Sequence, residues 1–216
     1  GRIWKIDSIE GKDNPARKRT RQLLAEGMGG KDEAYLVACL AEPDSRVRKA
    51  AQFELVRRKK TWALLAVAKQ TENQLARLHA IWGTGQVARG WPDGKNKDAG
   101  AVGPLLELLN DKDAEVRAQA AKVLGESAYS PSLEPLMSLL KDPSPRVRFH
   151  AAVALGKLKS AKAIDHIVLM TFRKDLTEDE LQNVNEEVFK LQVRGTDIHT
   201  LLLPMSFRLI GLCSTC

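Results

Sequence analysis

Aromatic side chains are scarce in this chain, which has five Phe, four Trp and two Tyr among its 216 residues. A surface that stacks nucleic-acid bases needs rows of aromatic rings, so the composition disfavours such a platform. No apolar run approaches the roughly eighteen residues that a membrane-spanning helix requires, and we expect no membrane span. The three cysteines are too few to define a redox compartment.

Motifs that carry chemistry are also missing. The sequence has no Gly-rich phosphate loop, no nucleophile elbow and no zinc-ligand spacing. Its four histidines, His79, His150, His166 and His199, are scattered rather than clustered. We therefore expect no catalytic residue, no metal ligand and no cofactor in this chain. A hydrophobic share of 44% with 28% charged residues is ordinary for a globular domain.

What the sequence does contain is a repeat of about thirty residues. Four segments align around one arginine each, and they read PDSRVRKAAQFELV, ENQLARLHAIWGTG, KDAEVRAQAAKVLG and PSPRVRFHAAVALG. The aligned arginines are Arg48, Arg77, Arg117 and Arg148, which are 29, 40 and 31 residues apart. Periods of this length indicate a solenoid of stacked repeats.

Each aligned segment has the pattern of a helix. Four residues before each arginine stand Asp44, Asn73, Asp113 and Ser144, which are residue types that cap a helix N-terminus. Valine, alanine and leucine then recur at the spacing of one apolar stripe. Eight residues after the arginine come Gly85, Gly125 and Gly156, and we expect these glycines to end the helix.

A second helix precedes each of these, marked by Leu36, Leu65, Leu105 and Leu136, twelve residues before the arginines. The phrase D-x-x-V-R-x-x-A-x-x-x-L-G resembles HEAT repeats of the phycobilisome-lyase type, over residues 32–192. The resemblance implies an all-α, right-handed α-solenoid of four to five antiparallel helix pairs, the fifth beginning near Ala163. It also implies that the repeat arginines are structural and pair with an acidic residue of an inter-helix turn, for which Asp111 and Asp142 are the candidates.

The first six residues, GRIWKI, alternate as a β-strand does, ahead of an otherwise helical pattern. A lone strand needs a sheet to join, so residues 1–13 are interpreted as the strand-like tail of an upstream domain. Followed by a basic helix and HEAT repeats, this phrase is similar to the end of the propeller in multidomain bacterial membrane-bound dehydrogenases. That resemblance implies a sugar-dehydrogenase-like propeller before these repeats and a c-type cytochrome domain after them. The repeats would then be a spacer or docking surface.

On this interpretation residues 14–192 form the solenoid and residues 193–216 an irregular C-terminal segment. Cys213 and Cys216 have the C-x-x-C spacing that attaches haem when a His follows, but no His follows here. A disulfide or redox pair, or two thiols without a role, are the alternatives. If the dehydrogenase resemblance holds, the bacterial envelope or periplasm is the expected compartment; otherwise it is the cytoplasm.

Positive charge is concentrated at the start of the chain. Residues 1–60 hold 15 Lys and Arg against 9 Asp and Glu, whereas the remaining residues hold 19 against 18. A basic end face can meet an acidic protein surface or phosphate. We expect a protein partner or an adjacent domain of the same chain, with nucleic acid as the alternative. The candidate residues are Arg17, Lys18, Arg19, Arg21, Arg57, Arg58, Lys59 and Lys60.

Between the second and third copies the chain gains an insertion of about ten residues, a length at which solenoid insertions form loops, often on the binding face. Residues 90–99 read GWPDGKNKDA and are rich in turn formers. Trp91 and Asp93 are therefore candidate interaction residues. The alternative is a tolerated surface loop with Trp91 packed against the helices.

Tryptophans near the second repeat allow two further readings. Trp82, Trp91 and Asp93 supply residue types that HEAT-like DNA glycosylases keep in their groove, but no matching motif accompanies them. Trp62 and Trp82 are expected in the core, where they would fill the volume left by Lys69 and Thr84 in place of leucine.

Overall fold

The computed structural model describes residues 13–70 and 72–160. The GRIWKI segment, the fifth repeat, His166, His199, Cys213 and Cys216 lie outside the described residues. Within the described part every regular element is a helix. The elements are α1 Pro15–Glu26, α2 Glu33–Cys39, α3 Ser45–Arg57, α4 Thr61–Lys69, α5 Gln74–Ala88, a 3₁₀ helix Ala99–Asn110, α6 Ala114–Glu126, a 3₁₀ turn Ser130–Ser132, α7 Leu133–Leu139 and α8 Pro145–Leu158.

The helices form two layers. The leading helices α2, α4, the 3₁₀ helix and α7 stack on one another, and the trailing helices α3, α5, α6 and α8 stack in a second layer beside them. Helix α1 lies against α3 at the start of the trailing layer. The predicted all-α solenoid of HEAT type is thereby confirmed, with four helix pairs in the described residues.

The core runs between the two layers and is built from the repeat columns. The leading-helix leucines and the alanines three residues after each arginine are buried, and these are Leu36, Leu65, Leu105, Leu136, Ala51, Ala80, Ala120 and Ala151. Full burial of a leucine stabilises the fold by about 1.5–3 kcal/mol. Thr84 occupies a leucine column at 0% exposure, and its hydroxyl donates to the Ala80 carbonyl at 2.9 Å. That bond makes the threonine tolerable in an apolar site.

Three of the four expected N-cap residues make a capping hydrogen bond through their side chain. Asp44, Asn73 and Asp113 accept from backbone amides of the first helical turn at 2.8 Å, 3.0 Å and 2.8 Å respectively. Ser144 stands at the N-cap of α8 but makes no such bond. Helix α8 begins instead with Pro145, which has no amide hydrogen to satisfy.

The expectation that Gly85, Gly125 and Gly156 end their helices is wrong. All three lie inside helices, and α5, α6 and α8 continue to Ala88, Glu126 and Leu158. Gly85 and Gly125 serve close packing instead. A Cβ on Gly125 would stand 2.4 Å from the Ala154 Cα atom, and a Cβ on Gly85 would stand 2.6 Å from a Val123 methyl group. These glycines allow trailing helices to approach each other closely.

Each trailing helix is followed, within two residues of its last helical residue, by a residue with left-handed backbone. These residues are Lys59 (φ 54°), Gly90 (φ 71°), Ala128 (φ 51°) and Lys159 (φ 56°). Hydrogen bonds from Lys60 N to Leu55 O at 2.9 Å and from Tyr129 N to Leu124 O at 3.2 Å close the last turn. This is the Schellman arrangement, which usually places glycine at the left-handed position.

The expected burial of Trp62 is also wrong, because 83% of its surface is exposed on the first turn of α4. Trp82 does pack against the core from a half-buried position. Lys69 is exposed and pairs with Glu107 at 2.7 Å, so the volume that Trp62 was expected to fill does not exist. A lysine at the end of a leading helix simply extends into solvent.

Candidate interaction surface

The repeat arginines form a ladder along the stack. Three of these arginines donate through Nη1 to two carbonyls of the turn before their own helix. Arg48 donates to two such carbonyls at 2.7 Å each. The two distances are 2.7 Å and 3.2 Å for Arg117, and 2.8 Å and 3.1 Å for Arg148. Arg77 donates through Nε to Ala68 O at 2.9 Å. Each arginine therefore ties its trailing helix to the leading helix of the same repeat.

Two of these arginines also reach the next repeat. Arg117 donates through Nε and Nη2 to both carboxylate oxygens of Asp142, at 2.8 Å and 2.9 Å, and Arg77 makes the same forked contact with Asp111. Burial raises the pKa of Asp142, but the hydrogen bonds from Arg117 and the Ser144 amide outweigh it and leave the pKa below its usual value. The pKa of Asp111 is also below its usual value, because hydrogen bonds from Arg77 and the Asp113 amide outweigh the effect of burial. Both carboxylates thus stay charged near neutral pH.

Sequence reasoning missed that Arg19 of α1 begins this ladder. Arg19 lies 29 residues before Arg48 and donates to Glu42 at 2.6 Å and 3.1 Å. Glu42 stands six residues before Arg48, as Asp111 and Asp142 do before their arginines. The equal spacing was the available signal. Helix α1 is therefore a divergent trailing helix without a described leading partner.

The structure separates the two clusters of basic residues that the sequence assigned to one end face. Arg17, Lys18, Arg19 and Arg21 lie on the first half of α1, where Arg19 contacts the turn before α3. Residues 57–60 lie at the other end of α3, where Arg58 donates to the carbonyls of Gly29 and Lys31 at 2.8 Å and 2.7 Å. The clusters are thus at opposite ends of two neighbouring helices.

Much of this positive charge is also balanced locally. Lys18 pairs with Asp13 at 2.9 Å, Arg57 and Arg58 both pair with Glu54 at 2.6 Å, and Lys60 pairs with Glu33 at 3.0 Å. The Arg57 and Arg58 bonds offset the burial of Glu54 and lower its pKa to about 2. A single strongly basic end face therefore does not form.

The insertion folds back over the trailing layer. Trp91 stacks on Phe53 of α3 with ring centroids 4.9 Å apart, and Lys49 Nζ stands over the Phe53 ring 5.4 Å from its centroid. Trp91 nevertheless keeps 39% of its surface exposed. Asp93 is exposed on the loop and accepts from the Lys95 amide at 3.0 Å. The loop places one anchored aromatic ring and several free polar groups at the surface.

We call the side of the trailing helices that is turned away from the leading layer the inner face. Its positions recur two residues before the repeat arginine and two, five and nine after it. They are Arg46, Ala50, Phe53 and Arg57; Leu75, His79, Trp82 and Gln86; Glu115, Gln119, Lys122 and Glu126; and Arg146, His150, Val153 and Lys157.

Side-chain hydrogen bonds run across the inner face from repeat to repeat. Trp82 donates to Gln119 at 2.8 Å, Gln119 donates to Glu115 at 2.8 Å, and Arg146 donates to Glu115 at 3.1 Å. These bonds connect three successive trailing helices. They hold the indole of Trp82 in one orientation, which lowers the entropy that a partner would have to remove.

A second such chain contains a buried histidine. His79 Nδ1 lies 2.6 Å from the side-chain oxygen of Gln52, and the side-chain nitrogen of Gln52 donates to the side-chain oxygen of Gln86 at 2.8 Å. Because the Gln52 oxygen can only accept a hydrogen bond, the proton lies on His79 Nδ1. Burial, with the nearby Arg48 charge, lowers the pKa of His79 to about 4. Burial, followed by Arg146 and Lys122, lowers the pKa of His150 to about 4 as well.

These two histidines predict a loss of stability in mild acid. The unfolded chain takes up protons near pH 6.5, whereas the folded chain does so near pH 4, so stability falls as the pH drops between these values. From pH 7 to pH 5 we expect each histidine to remove about 1–2 kcal/mol from the free energy of unfolding. Carboxylates contribute little in that range because their unfolded pKa values are lower.

Urea denaturation at pH 7 and pH 5 measures this effect. The double variant His79→Gln/His150→Gln is expected to lose much less stability between the two pH values than the parent chain. The comparison uses the difference between pH values, so a general destabilisation of the variant does not affect it. An equal loss in both proteins would contradict the assignment to these histidines.

The leading layer carries an exposed apolar groove of about 570 Å³ between α4 and the 3₁₀ helix. Trp62, Leu65, Ala66, Gly103 and Pro104 line it, with the Lys69–Glu107 pair at its edge. The groove is open and has no convergent polar groups, which a small-molecule site needs for orientation.

Residues 13–70 and 72–160 contain no cluster of three or more His, Cys, Asp or Glu that could hold a metal ion. Over the same residues no helix is long and apolar enough to cross a membrane. His79 and His150 occupy equivalent positions in separate repeats and each packs against its own aromatic neighbour, Trp82 or Phe149. They therefore do not converge on a common site.

Comparison with known proteins agrees with the geometry. Residues 102–177 match the family model of HEAT repeats, which agrees with the helical repeats seen in the described part of that range, residues 102–160. HEAT repeats generally mediate protein–protein interaction. A crystal structure of an engineered protein from the Northeast Structural Genomics Consortium is similar over 84% of this chain and 94% of that chain, with a TM-score of 0.51 and 21% identity. At that identity the similarity concerns the fold alone. A search of curated proteins found no match.

Proposed function

We propose that this chain is a non-catalytic module that binds a protein partner or an adjacent domain through its inner face and the insertion loop. The observation that carries the proposal is that the inner face holds two aromatic sites, the Phe53–Trp91 stack on α3 and Trp82 at the equivalent position of α5. Trp91 reaches this surface only because the insertion folds back onto α3. Aromatic side chains held by packing are typical anchors of protein interfaces.

The candidate residues contribute unequally to this surface. Trp91 and Asp93 belong to it through the loop, and Arg57 lies at its edge on α3. Lys18, Arg19, Lys60 and Arg58 are engaged by carboxylates of the chain, which leaves less charge for a partner. We therefore assign the partner primarily to the inner face and not to the basic residues of α1. Nucleic-acid binding remains the alternative function.

A photocrosslinking experiment tests the proposal. A photoreactive phenylalanine analogue replaces Asp93 on the exposed loop, and irradiation in the source cells is followed by mass spectrometry of the adducts. The expected product is a covalent complex with one protein, absent when the same analogue replaces Lys141 on the outer turn before α8. Adducts with nucleic acid alone, or equal adducts from both positions, would contradict the proposed function.

We also propose that the module is part of a multidomain dehydrogenase-like protein, with residues 1–13 ending an upstream domain, residues 14–192 forming the solenoid and residues 193–216 leading onward. The support is the resemblance of the GRIWKI segment, which lies outside the described residues. In such a protein the repeats would space or dock the domains that carry the chemistry. Sequencing the surrounding reading frame tests this directly, because a propeller upstream and a Cys-x-x-Cys-His motif downstream are both required.

A further inference from the structure

From the inner face we infer the chemistry of the partner, which is an extended acidic segment of a protein. This segment carries apolar side chains at two positions three residues apart, and a carboxylate three residues after the second of them. This inference rests on the proposed function and adds the class of ligand. Three side chains in one row carry it, Phe53 with its stacked Trp91, then Trp82, then Lys122.

The spacing of this row determines the spacing of the ligand. The three positions stand five residues after the repeat arginine on α3, α5 and α6, so they form a line across neighbouring helices. Packed helices lie about 8–10 Å apart, and a chain in the polyproline II conformation advances about 3.1 Å per residue with three residues per turn, so its side chains at i, i+3 and i+6 face the same way. Three residues of ligand therefore span one helix-to-helix step, which gives anchors at i, i+3 and i+6.

The apolar anchors have prepared sites. Trp91 is held by the Phe53 ring and keeps 39% of its surface free, while Trp82 is half-buried and oriented by Gln119. Neither ring needs to reorganise when an aliphatic or aromatic side chain packs on it. Rigid aromatic surfaces of this kind bind with little entropic cost.

The charge of the ligand follows from which groups on the inner face already have partners. Glu115 pairs with Arg146 at 2.5 Å, and Glu126 pairs with Arg89 at 3.1 Å and with Lys157 at 3.5 Å. Among the described residues, by contrast, Lys122 on the inner face and Lys49 beside it form no ion pair, and Lys49 Nζ stands over the Phe53 ring at 5.4 Å. Two unpaired ammonium groups at the two ends of an aromatic row favour carboxylates on the ligand.

Nucleic acid fits this surface less well. Duplex DNA presents one negative charge per about 1.7 Å of axis, and its affinity depends on neutralising many phosphates. On the inner face and directly beside it two cations form no ion pair, and most other cations there are already paired with Glu115, Glu126 and Glu54. A ligand with few charges and apolar anchors matches that pattern better.

The test uses the whole chain and a fluorescein-labelled peptide of twelve residues. The peptide carries leucine at i and i+3, glutamate at i−1 and i+6, and serine or glycine elsewhere. Fluorescence anisotropy measures its affinity for the parent chain and for the variants Lys122→Glu and Lys141→Glu. Lys141 is exposed on the turn before α8 and outside the inner face, so it serves as the matched charge control.

We expect Lys122→Glu to weaken binding about tenfold or more, because a pairing cation becomes a repelling anion, and Lys141→Glu to leave it unchanged. A peptide with the same composition but leucines at i and i+2 should bind more weakly. Circular dichroism confirms that both variants remain folded.

Three results would overturn the inference: no binding at about 1 mM peptide, equal weakening by both variants, or tighter binding of a single-stranded oligonucleotide of the same charge. If the peptide fails while the Asp93 crosslink to a protein persists, the proposed function stands and only the ligand class is wrong. If both fail, the proposed function fails as well.

Discussion

Replacing Asp142 with alanine is expected to lower the free energy of unfolding by about 3 kcal/mol, because it removes one partner of a buried, forked ion pair. The Asp142 side chain is 6% exposed and that of Arg117 is 13% exposed. Without the carboxylate, Arg117 keeps its bonds to two backbone carbonyls but loses the carboxylate with which it forms its ion pair. The Ser144 amide also loses its acceptor at 2.8 Å.

Chemical denaturation at pH 7 measures the loss, and Glu107→Ala is its control. Glu107 forms an ion pair with Lys69 in which the side chains are 68% and 43% exposed, so its removal should cost less than about 1 kcal/mol. The pKa of Asp142 is lowered on folding, so its stabilisation is present above the unfolded pKa near 4 and is lost as the pH falls through the folded value. The difference between parent and Asp142→Ala should therefore shrink below about pH 4. Equal losses in Asp142→Ala and Glu107→Ala would show that the buried pair contributes no more than an exposed one.

Gly125→Ala is expected to destabilise the chain by about 2–3 kcal/mol although alanine favours helices. The new methyl group would stand 2.4 Å from the Ala154 Cα atom and 3.1 Å from its carbonyl oxygen. Backbone atoms cannot rotate away as a side chain can, so α6 and α8 must separate. The gain in helix propensity, about 0.5–1 kcal/mol, offsets only part of the strain.

Gly83→Ala is the matched control, since Gly83 also lies inside a trailing helix. Its methyl group would meet the ends of Leu64 at 3.0 Å and 3.1 Å and Gln52 Cγ at 3.3 Å, all of them side-chain atoms. We expect a change of less than about 1 kcal/mol in either direction. Thermal and urea denaturation compare the two variants. If Gly125→Ala is as stable as Gly83→Ala, the close approach of α6 and α8 does not depend on glycine.

The repeat and its core could be predicted from the sequence because both follow from periodicity. The caps Asp44, Asn73 and Asp113, the alanine column and the leading-helix leucines are local patterns that recur in several copies. The glycine column was misread because its residue type suits both a helix end and a close contact between helices. Only the neighbouring helix, with Ala154 against Gly125, distinguishes the two.

The candidate surface was less accessible to sequence reasoning, since it depends on contacts between repeats. Trp91 and Phe53 are 38 residues apart in sequence, and nothing local indicates that they stack. The basic residues of α1 and of the α3 C-terminus looked like one cluster because both lie near the start of the chain. Their separation follows from α1 lying beside α3 with Arg19 at Glu42 and Arg58 at Gly29. Trp62 was placed in the core because Lys69 and Thr84, which stand in leucine columns, were expected to leave volume there, whereas Trp62 is 83% exposed.

The ladder contacts also make the array directional. Arg19, Arg77 and Arg117 each donate to a carboxylate that belongs to the following repeat, Glu42, Asp111 and Asp142 respectively. Deleting the first repeat of such an array removes an arginine donor and leaves the carboxylate of the following repeat exposed to solvent. Deleting the last repeat instead removes the carboxylate and leaves the buried guanidinium of the preceding repeat without its ion-pair partner. Growth of the array by duplication is therefore easier at its front than at its rear, and loss of units should show the same bias.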